Sequence, residues 1–270
     1  MSFQMFASNQ KGIFCITIKF IYVTTNFASV TLIQLRNTSV YVISKIHKEK
    51  DKMHIPDSFM PLSQALVYWA IAIPFIFMSL RWARRDMDDM KIPILAALSA
   101  GIFAIQALNI PIGMGTSGHM VGAALVAIIL GSPFAGVLVL TLVLLVQGIV
   151  FADGGITVMG ANILNMGVIS GFIGYYGFVA LRKRNIDIKI SAFIGAWLGL
   201  FISSIATAIE MSIAGTFPLV PGIVAMGTFH FVIGIIGEGL ITAIAIGAIA
   251  KARPDLVDDK AVESSKEATL

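Results

Sequence analysis

Seven long runs of apolar residues, separated by short polar or glycine-rich breaks, dominate the chain from residue 60 onward. A helix needs about 20 mainly apolar residues to cross a bilayer. The pattern therefore predicts an all-α, polytopic membrane protein with seven transmembrane helices after residue 53. Gly131-Ser132-Pro133 further predicts that the short third segment forms a tight helical hairpin with the fourth. The predicted segments are 62–80, 92–109, 119–131, 133–151, 158–181, 190–214 and 227–250.

Basic residues in the breaks predict how the helices are oriented. They cluster after the first, fifth and seventh segments, so seven helices place all three clusters on one side, which the positive-inside rule makes cytoplasmic. The residues at Met53 and loops 110–118, 152–157 and 215–226 then lie outside, and the C-terminus is cytoplasmic. The clusters are Arg81, Arg84, Arg85 and Lys91; Arg182, Lys183, Arg184 and Lys189; and Lys251 and Arg253.

Composition agrees with a multi-pass protein of the cell membrane. The chain is 57% hydrophobic and 13% charged, with a mean hydropathy of +0.88, whereas soluble domains carry about 25% charged residues. A single cysteine, Cys15, excludes a disulfide framework and a cysteine-rich metal cluster. No basic face with interleaved aromatic residues indicates a nucleic-acid partner.

The charge balance changes at about residue 52. Residues 1–52 hold seven Lys and Arg against two acidic residues, a net charge of +5, while residues 53–270 hold twelve against thirteen, a net charge of −1. The moderately apolar stretch 12–35 has three interpretations: a further transmembrane helix, a signal sequence or translated upstream sequence. As a further helix it would place five basic residues outside, against the positive-inside rule.

We therefore expect three regions. Residues 1–52 are interpreted as an upstream mis-translated or processed extension. Residues 53–253 form a metal-binding membrane domain, and residues 254–270 form a polar cytoplasmic tail that we expect to be disordered.

Met53 and His54 predict metal chemistry if Met53 begins the functional chain. The Met53 α-amine, the His54 amide nitrogen and the nearer His54 ring nitrogen can then bind one ion in a plane. An imidazole from elsewhere fills the fourth corner, and His119 lies on the same predicted side. Four planar nitrogens favour Ni(II), Cu(II) or low-spin Co(II) over Zn(II) or Mg(II). Any residue ahead of Met53 would remove the amine.

Polar residues inside the predicted helices leave a rival function open. Glu210 and Glu238 are ionisable residues within membrane segments, which are costly and usually functional. They permit an ion- or proton-coupled secondary transporter that uses them as a relay and needs no free terminus. Asn162 and Asn165, one turn apart, are predicted to form interhelical hydrogen bonds.

Motif absences narrow the possible functions. The chain has no H-E-x-x-H, which disfavours an intramembrane metalloprotease, and no G-x-x-x-x-G-K-[ST] phosphate loop. Small-residue ridges at Gly167-x-x-x-Gly171 and Gly195-x-x-x-Gly199 predict close helix packing, within the bundle or against partners.

Five stretches together resemble the CbiM/NikM family, over about residues 53–250. These components bind the substrate in cobalt and nickel energy-coupling-factor transporters, and the pattern is nearer to the cobalt branch. In this family, the matching positions Met53, His54 and His119 would bind the metal, surrounded by Asp153, Asn162, His230 and Glu238. Ser58 departs from the family, since Gly usually follows the Asp, and so does the 52-residue extension. The stretches are M-H-I-P-D, I-P-I-G-M-G-T-S-G-H, L-V-L-L-V-Q-G-I-V-F-A-D-G-G, M-G-A-N-I-L-N-M-G and H-F-V-I-G-I-I-G-E-G-L-I-T.

The resemblance also implies partners. The chain would be a non-catalytic subunit of an ATP-hydrolysing importer in the lipid bilayer, working with separate ATPase subunits, a membrane coupling subunit and a small companion membrane subunit. It would bind no permanent cofactor. Its cargo would be Co²⁺ for cobalamin biosynthesis, with Ni²⁺ as the alternative.

Overall fold

A computed structural model describes residues 5–10, 13–18, 54–113 and 116–257. The chain divides into two units, Met1–Ile46 and His47–Leu270. In the first unit, strands β1 (Met5–Gln10) and β2 (Ile13–Ile18) form an antiparallel hairpin. Residues 13–18 are therefore not part of a transmembrane helix, and their β-branched residues favour a strand. The rest of the extension and Met53 lie outside the described residues.

Helices make up most of the second unit. A short 3₁₀ turn, Asp57–Phe59, precedes them, and one small hairpin of strands β3 (Ile110–Gly113) and β4 (Thr116–Gly118) interrupts them. The helices are α1 (Leu62–Asp86), α2 (Lys91–Gln106), α3 (Ala123–Leu130), α4 (Pro133–Val150), α5 (Met159–Arg182), α6 (Ile188–Ile213), α7 (Leu219–Ala252) and α8 (Pro254–Val257).

Within the described residues, five helices are long and apolar enough to cross a membrane: α1, α4, α5, α6 and α7. This confirms an all-α membrane protein apart from the two small hairpins. Helix α2 has 16 residues, about 24 Å, less than the roughly 30 Å apolar core of a bilayer. Helix α3 has only eight residues, and all of them are buried, so it lies in the core of the bundle.

Two helices begin elsewhere than the sequence predicted. Helix α3 starts at residue 123, not 119, because Gly122 has a φ of +78° and cannot continue a helix backward. His119 consequently precedes the helix instead of opening it. Helix α7 starts at residue 219, not 227, because Pro221 lies in its first turn, where no backbone donor is needed. The tail also begins with ordered structure, the short helix α8.

The predicted α3–α4 hairpin is confirmed. Gly131 ends α3 with a φ of +71°, and the Ser132 hydroxyl accepts a hydrogen bond of 3.3 Å from the backbone N–H of Phe134. Pro133 occupies the first position of α4, where its missing N–H costs nothing.

Small residues bring α5 and α6 into close contact. A Cβ at Gly199 would press against the carbonyl oxygen of Ser170, and one at Gly195 against that of Gly174. The Gly195-x-x-x-Gly199 ridge therefore packs inside the bundle. Two helices also contain π-helical turns, Ile163–Ile169 in α5 and Gly234–Gly239 in α7, a feature frequent at functional sites.

Candidate metal site

A cavity of about 80 Å³ lies among the segment before α1, the residues around β4, and helices α5, α6 and α7. Three histidines line it: His54, His119 and His230. All three are buried, with 5%, 7% and 6% of their surface exposed. The tertiary structure thus brings together histidines from three distant parts of the chain.

The rings of His54 and His119 are in contact. Their centroids are 5.1 Å apart and their planes meet at 82°. His54 Nε2–H donates to the amide oxygen of Gln147 at 2.9 Å, while Nδ1 is buried and has no hydrogen-bond partner within the described part of the chain. His119 Nδ1–H donates to the carbonyl oxygen of Met120 at 2.7 Å. The bond to Gln147 leaves the lone pair on His54 Nδ1, and imidazoles that bind metal are commonly oriented in this way by a hydrogen bond at the other ring nitrogen.

His54 lies before the first helix and is neutral. Burial is the largest effect on its pKa, the nearby His119 acts in the same direction, and the hydrogen bond to Gln147 opposes both. Together they lower the pKa of His54 from 6.5 to about 3. The imidazole is therefore held in the unprotonated form that a metal requires.

Asn162 anchors the backbone next to His54. Its side-chain oxygen accepts from the N–H of Ile55 at 3.2 Å, and its side-chain nitrogen donates to the carbonyl oxygen of Ile55 at 3.4 Å. The same carbonyl accepts from the N–H of Gly155 at 3.0 Å. Asn162, which the resemblance placed around the site, thus bonds to the segment that carries His54 and not to another helix, contrary to the prediction.

Loop 152–157 packs closely against this segment. Asp57 Oδ1 accepts from the backbone N–H of Thr157 at 2.8 Å and from its hydroxyl at 2.5 Å. Burial raises the pKa of Asp57, but these hydrogen bonds outweigh burial and leave that pKa below its usual value. Gly154 has a φ of +91°, and a Cβ there would lie 2.8 Å from the Cβ of His54. The loop therefore fixes His54 through direct contact.

Three other predicted residues take different positions. Glu238 is fully buried and accepts from the backbone N–H groups of Val121 at 2.8 Å and Gly122 at 2.7 Å, so it fixes the backbone just after His119. His230 lines the cavity and donates from Nδ1 to the carbonyl oxygen of Met226 at 2.8 Å. Asp153 is half-buried and does not line the described cavity.

Two further polar residues belong to the site, although only the fold gives them their roles. Gln147 orients His54, as described above. Asn165 lines the cavity and donates to Glu210 Oε2 at 2.6 Å, which confirms its predicted interhelical hydrogen bond. In the sequence, each of these two residues is an amide side chain within an apolar run. This pattern predicts a buried polar contact but does not predict its partner.

The described residues contain no group of three or more His, Cys, Asp and Glu side chains that could hold a metal ion. His54 and His119 supply two imidazole nitrogens. Further ligands of a bound ion would therefore have to come from groups other than a cluster of His, Cys, Asp and Glu side chains among the described residues.

A bundle of apolar helices around a cavity lined by three buried histidines defines a multi-pass membrane protein with a candidate transition-metal site. The family model described as "Cobalt uptake substrate-specific transmembrane region" (CbiM) matches residues 54–256. The chain belongs to this family.

Relatives and solved structures agree. A relative in Archaeoglobus fulgidus, whose assigned name places it among fused nickel transport proteins (NikMN), is 42% identical over 211 residues, covering 77% of this chain and 69% of the relative. The cobalt transport protein CbiM of Sorangium cellulosum is 29% identical over 215 residues, covering 76% and 95%. The crystal structure of a truncated transition metal transporter matches with a TM-score of 0.70 and 32% identity, covering 74% of this chain and 99% of the other.

Proposed function

We propose that this chain is the substrate-binding component of an ATP-driven energy-coupling-factor importer for a divalent transition metal, with Co²⁺ as its cargo. One observation carries the proposal. Two oriented imidazoles, those of His54 and His119, meet at one cavity with a ring-centroid distance of 5.1 Å. Such a component captures the ion and performs no chemistry on it, so the chain is not an enzyme by itself.

The proposed ligands are the Met53 α-amine, the His54 amide nitrogen, His54 Nδ1 and His119 Nε2. Support comes from the His54 ring, where Gln147 occupies Nε2 and leaves Nδ1. Nδ1 is the ring nitrogen near enough to its own backbone to close a six-membered chelate. Because this set needs a free amine, the functional chain would begin at Met53, with residues 1–52 absent or removed.

The proposed topology counts all seven helices α1 to α7 as membrane segments, although α2 and the buried α3 are shorter than a full span. The basic clusters after α1, α5 and α7 favour a cytoplasmic C-terminus and a metal site on the outer face. Separate ATPase subunits, a membrane coupling subunit and a small companion membrane subunit would complete the importer. ATP-driven rearrangement would then tip the loaded site toward the cytoplasm.

Cobalt is the proposed cargo because the motifs are nearer to the cobalt branch and the matching family model is described as one for cobalt uptake. Nickel is the alternative, since both ions accept four planar nitrogens. Measured affinities for the two ions decide between them.

Metal binding tests the proposal directly. The purified chain starting at Met53 is compared with the full 270-residue chain and with His54→Ala and His119→Ala in the shorter chain, by calorimetric titration of Co²⁺ and Ni²⁺. We expect one ion per chain in the first case, and affinity at least about 100-fold lower in the other three, since each lacks a ligand. Equal binding by all four would refute the terminal site.

Transport tests the requirement for ATP. Uptake of Co²⁺ by cells that express the chain should disappear when the ATPase subunits are deleted. Uptake that persists would favour the secondary transporter based on Glu210 and Glu238.

A further inference from the structure

Asn165 is a cavity-lining residue whose side-chain oxygen is buried and unsatisfied among the described residues. The residue lies in the π-helical turn of α5, is 2% exposed and lines the cavity. Its amide nitrogen is tied to Glu210, which is not among the described residues that line the cavity. Its Oδ1 has no hydrogen-bond partner among the residues that the structure describes. A buried acceptor of this kind is costly unless a donor reaches it, so it marks a place where a donor binds.

Three hydroxyls on α6 line the same cavity, and all of them present acceptors. Ser203 donates its proton to the carbonyl oxygen of Asn165 at 2.8 Å. Thr207 donates to the backbone carbonyl oxygen of Ser203 at 3.0 Å, and Ser204 donates to that of Phe201 at 2.7 Å. Each hydroxyl oxygen keeps only lone pairs for other partners. This wall of the cavity, Asn165 with Ser203, Ser204 and Thr207, therefore suits a ligand that donates hydrogen bonds.

A metal-bound water is such a ligand. If the proposed function holds, four nitrogens occupy the plane around the ion, and other groups can reach it only from above or below. The cavity of about 80 Å³ has room for a water beside the ion, since a water in the liquid takes about 30 Å³. Coordination also makes the protons of a water better donors than those of bulk water.

We propose that Asn165 Oδ1 accepts a hydrogen bond from a water bound to the metal outside the nitrogen plane, and that this contact makes the site favour Co²⁺ over Ni²⁺. The inference rests on the proposed function and adds a residue that determines specificity. In a strong planar field, low-spin Ni²⁺ has a filled orbital along the axis, which repels a fifth ligand. Low-spin Co²⁺ has one electron fewer in that orbital, so it binds an axial water.

The test compares Asn165→Leu with wild type, in whichever form of the chain binds metal in the titration above. Glu210→Gln is the control, because it preserves Asn165 Oδ1 and still accepts from the Asn165 amide. We expect Asn165→Leu to weaken Co²⁺ binding about 10-fold, as for one lost hydrogen bond to a coordinated water. Ni²⁺ binding should stay within about 2-fold, and the control should bind both ions as wild type does.

Spectroscopy of the wild-type chain tests directly whether a water is bound to the metal. Electron paramagnetic resonance of the Co²⁺-loaded chain should broaden in water enriched in ¹⁷O, and this broadening should disappear in Asn165→Leu. Absence of broadening in wild type would overturn the inference, as would an equal loss of Co²⁺ and Ni²⁺ affinity in Asn165→Leu, which indicates a structural role. A wild type that binds neither ion would overturn the proposed function and this inference together.

Discussion

Replacing Gly154 by alanine should displace His54, a proposed metal ligand, without altering any proposed ligand atom. A Cβ at Gly154 would lie 2.8 Å from the Cβ of His54, whereas carbon atoms in contact prefer about 3.5 Å or more. The loop or His54 must therefore move by about 0.7 Å. Metal–ligand distances tolerate only about 0.2 Å. We expect Co²⁺ affinity to fall by about 10- to 100-fold, the range seen when the support of a ligand is lost.

The same substitution also strains the backbone. Gly154 has a φ of +91°, and an L-residue in the left-handed region costs roughly 1–2 kcal/mol. Gly215 provides a matched control, because its φ is +74° and nothing among the described residues lies within 4 Å of a Cβ placed there. Gly215→Ala shares the backbone cost but leaves His54 untouched.

Calorimetric titration with Co²⁺ and thermal unfolding of the metal-free chains separate the two effects. Both variants should lose stability, Gly154→Ala by more because of the added contact with His54, and only Gly154→Ala should lose affinity. If the two variants bound Co²⁺ equally well, loop 152–157 would not position His54, and the argument from close packing would be refuted.

Three further predictions follow from the contacts around the two histidines. Asn162→Leu removes both hydrogen bonds to Ile55, so Co²⁺ affinity measured by titration should fall about 10- to 100-fold; wild-type affinity would contradict an anchoring role. Glu238→Leu leaves two buried N–H groups unpaired, at a cost of about 1–3 kcal/mol each; an unchanged unfolding midpoint would count against this account. The third prediction is that the stability of the metal-free chain depends on pH. The pKa of His54 is about 3 in the folded chain, whereas its ordinary value is 6.5. The folded state then binds fewer protons than the unfolded state between these values, so the stability of the metal-free chain is complete above about pH 6.5 and falls by about 1.4 kcal/mol per unit as pH drops toward 3. Unfolding at several pH values should show this slope, and His54→Gln should reduce it.

Much of the helical framework was predictable, because the bilayer imposes length and apolarity on each span. The predicted segments 133–151, 158–181 and 190–214 differ from helices α4, α5 and α6 by at most two residues at either end. The α3–α4 turn was also predictable, because glycine, a capping serine and proline determine the conformation of their immediate neighbours. Family membership rested on the combination of motifs, which the family model matches over residues 54–256.

Hydrogen bonds between residues far apart in the sequence determine features that local sequence patterns could not predict. His119 was expected to open α3, but Glu238, more than a hundred residues further along the chain, accepts from the N–H groups just after it. Gln147 carried no prediction of its own, and Asn165 was predicted to form an interhelical hydrogen bond without a named partner. Their partners lie 93 and 45 positions away, and no periodic pattern encodes such a distance.

His54 shows the division most clearly. Its residue type and its place after Met53 indicated metal chemistry from the sequence, because an imidazole beside a chain start can chelate with its own backbone. The sequence predicted the nearer ring nitrogen and His119 as ligands, but it did not indicate which contact orients the His54 ring or how far apart the two rings lie. The packed structure provides both, since Gln147 binds Nε2 and the ring centroids of His54 and His119 are 5.1 Å apart. Tautomer and separation depend on contacts between distant elements, and these exist only once the bundle has formed.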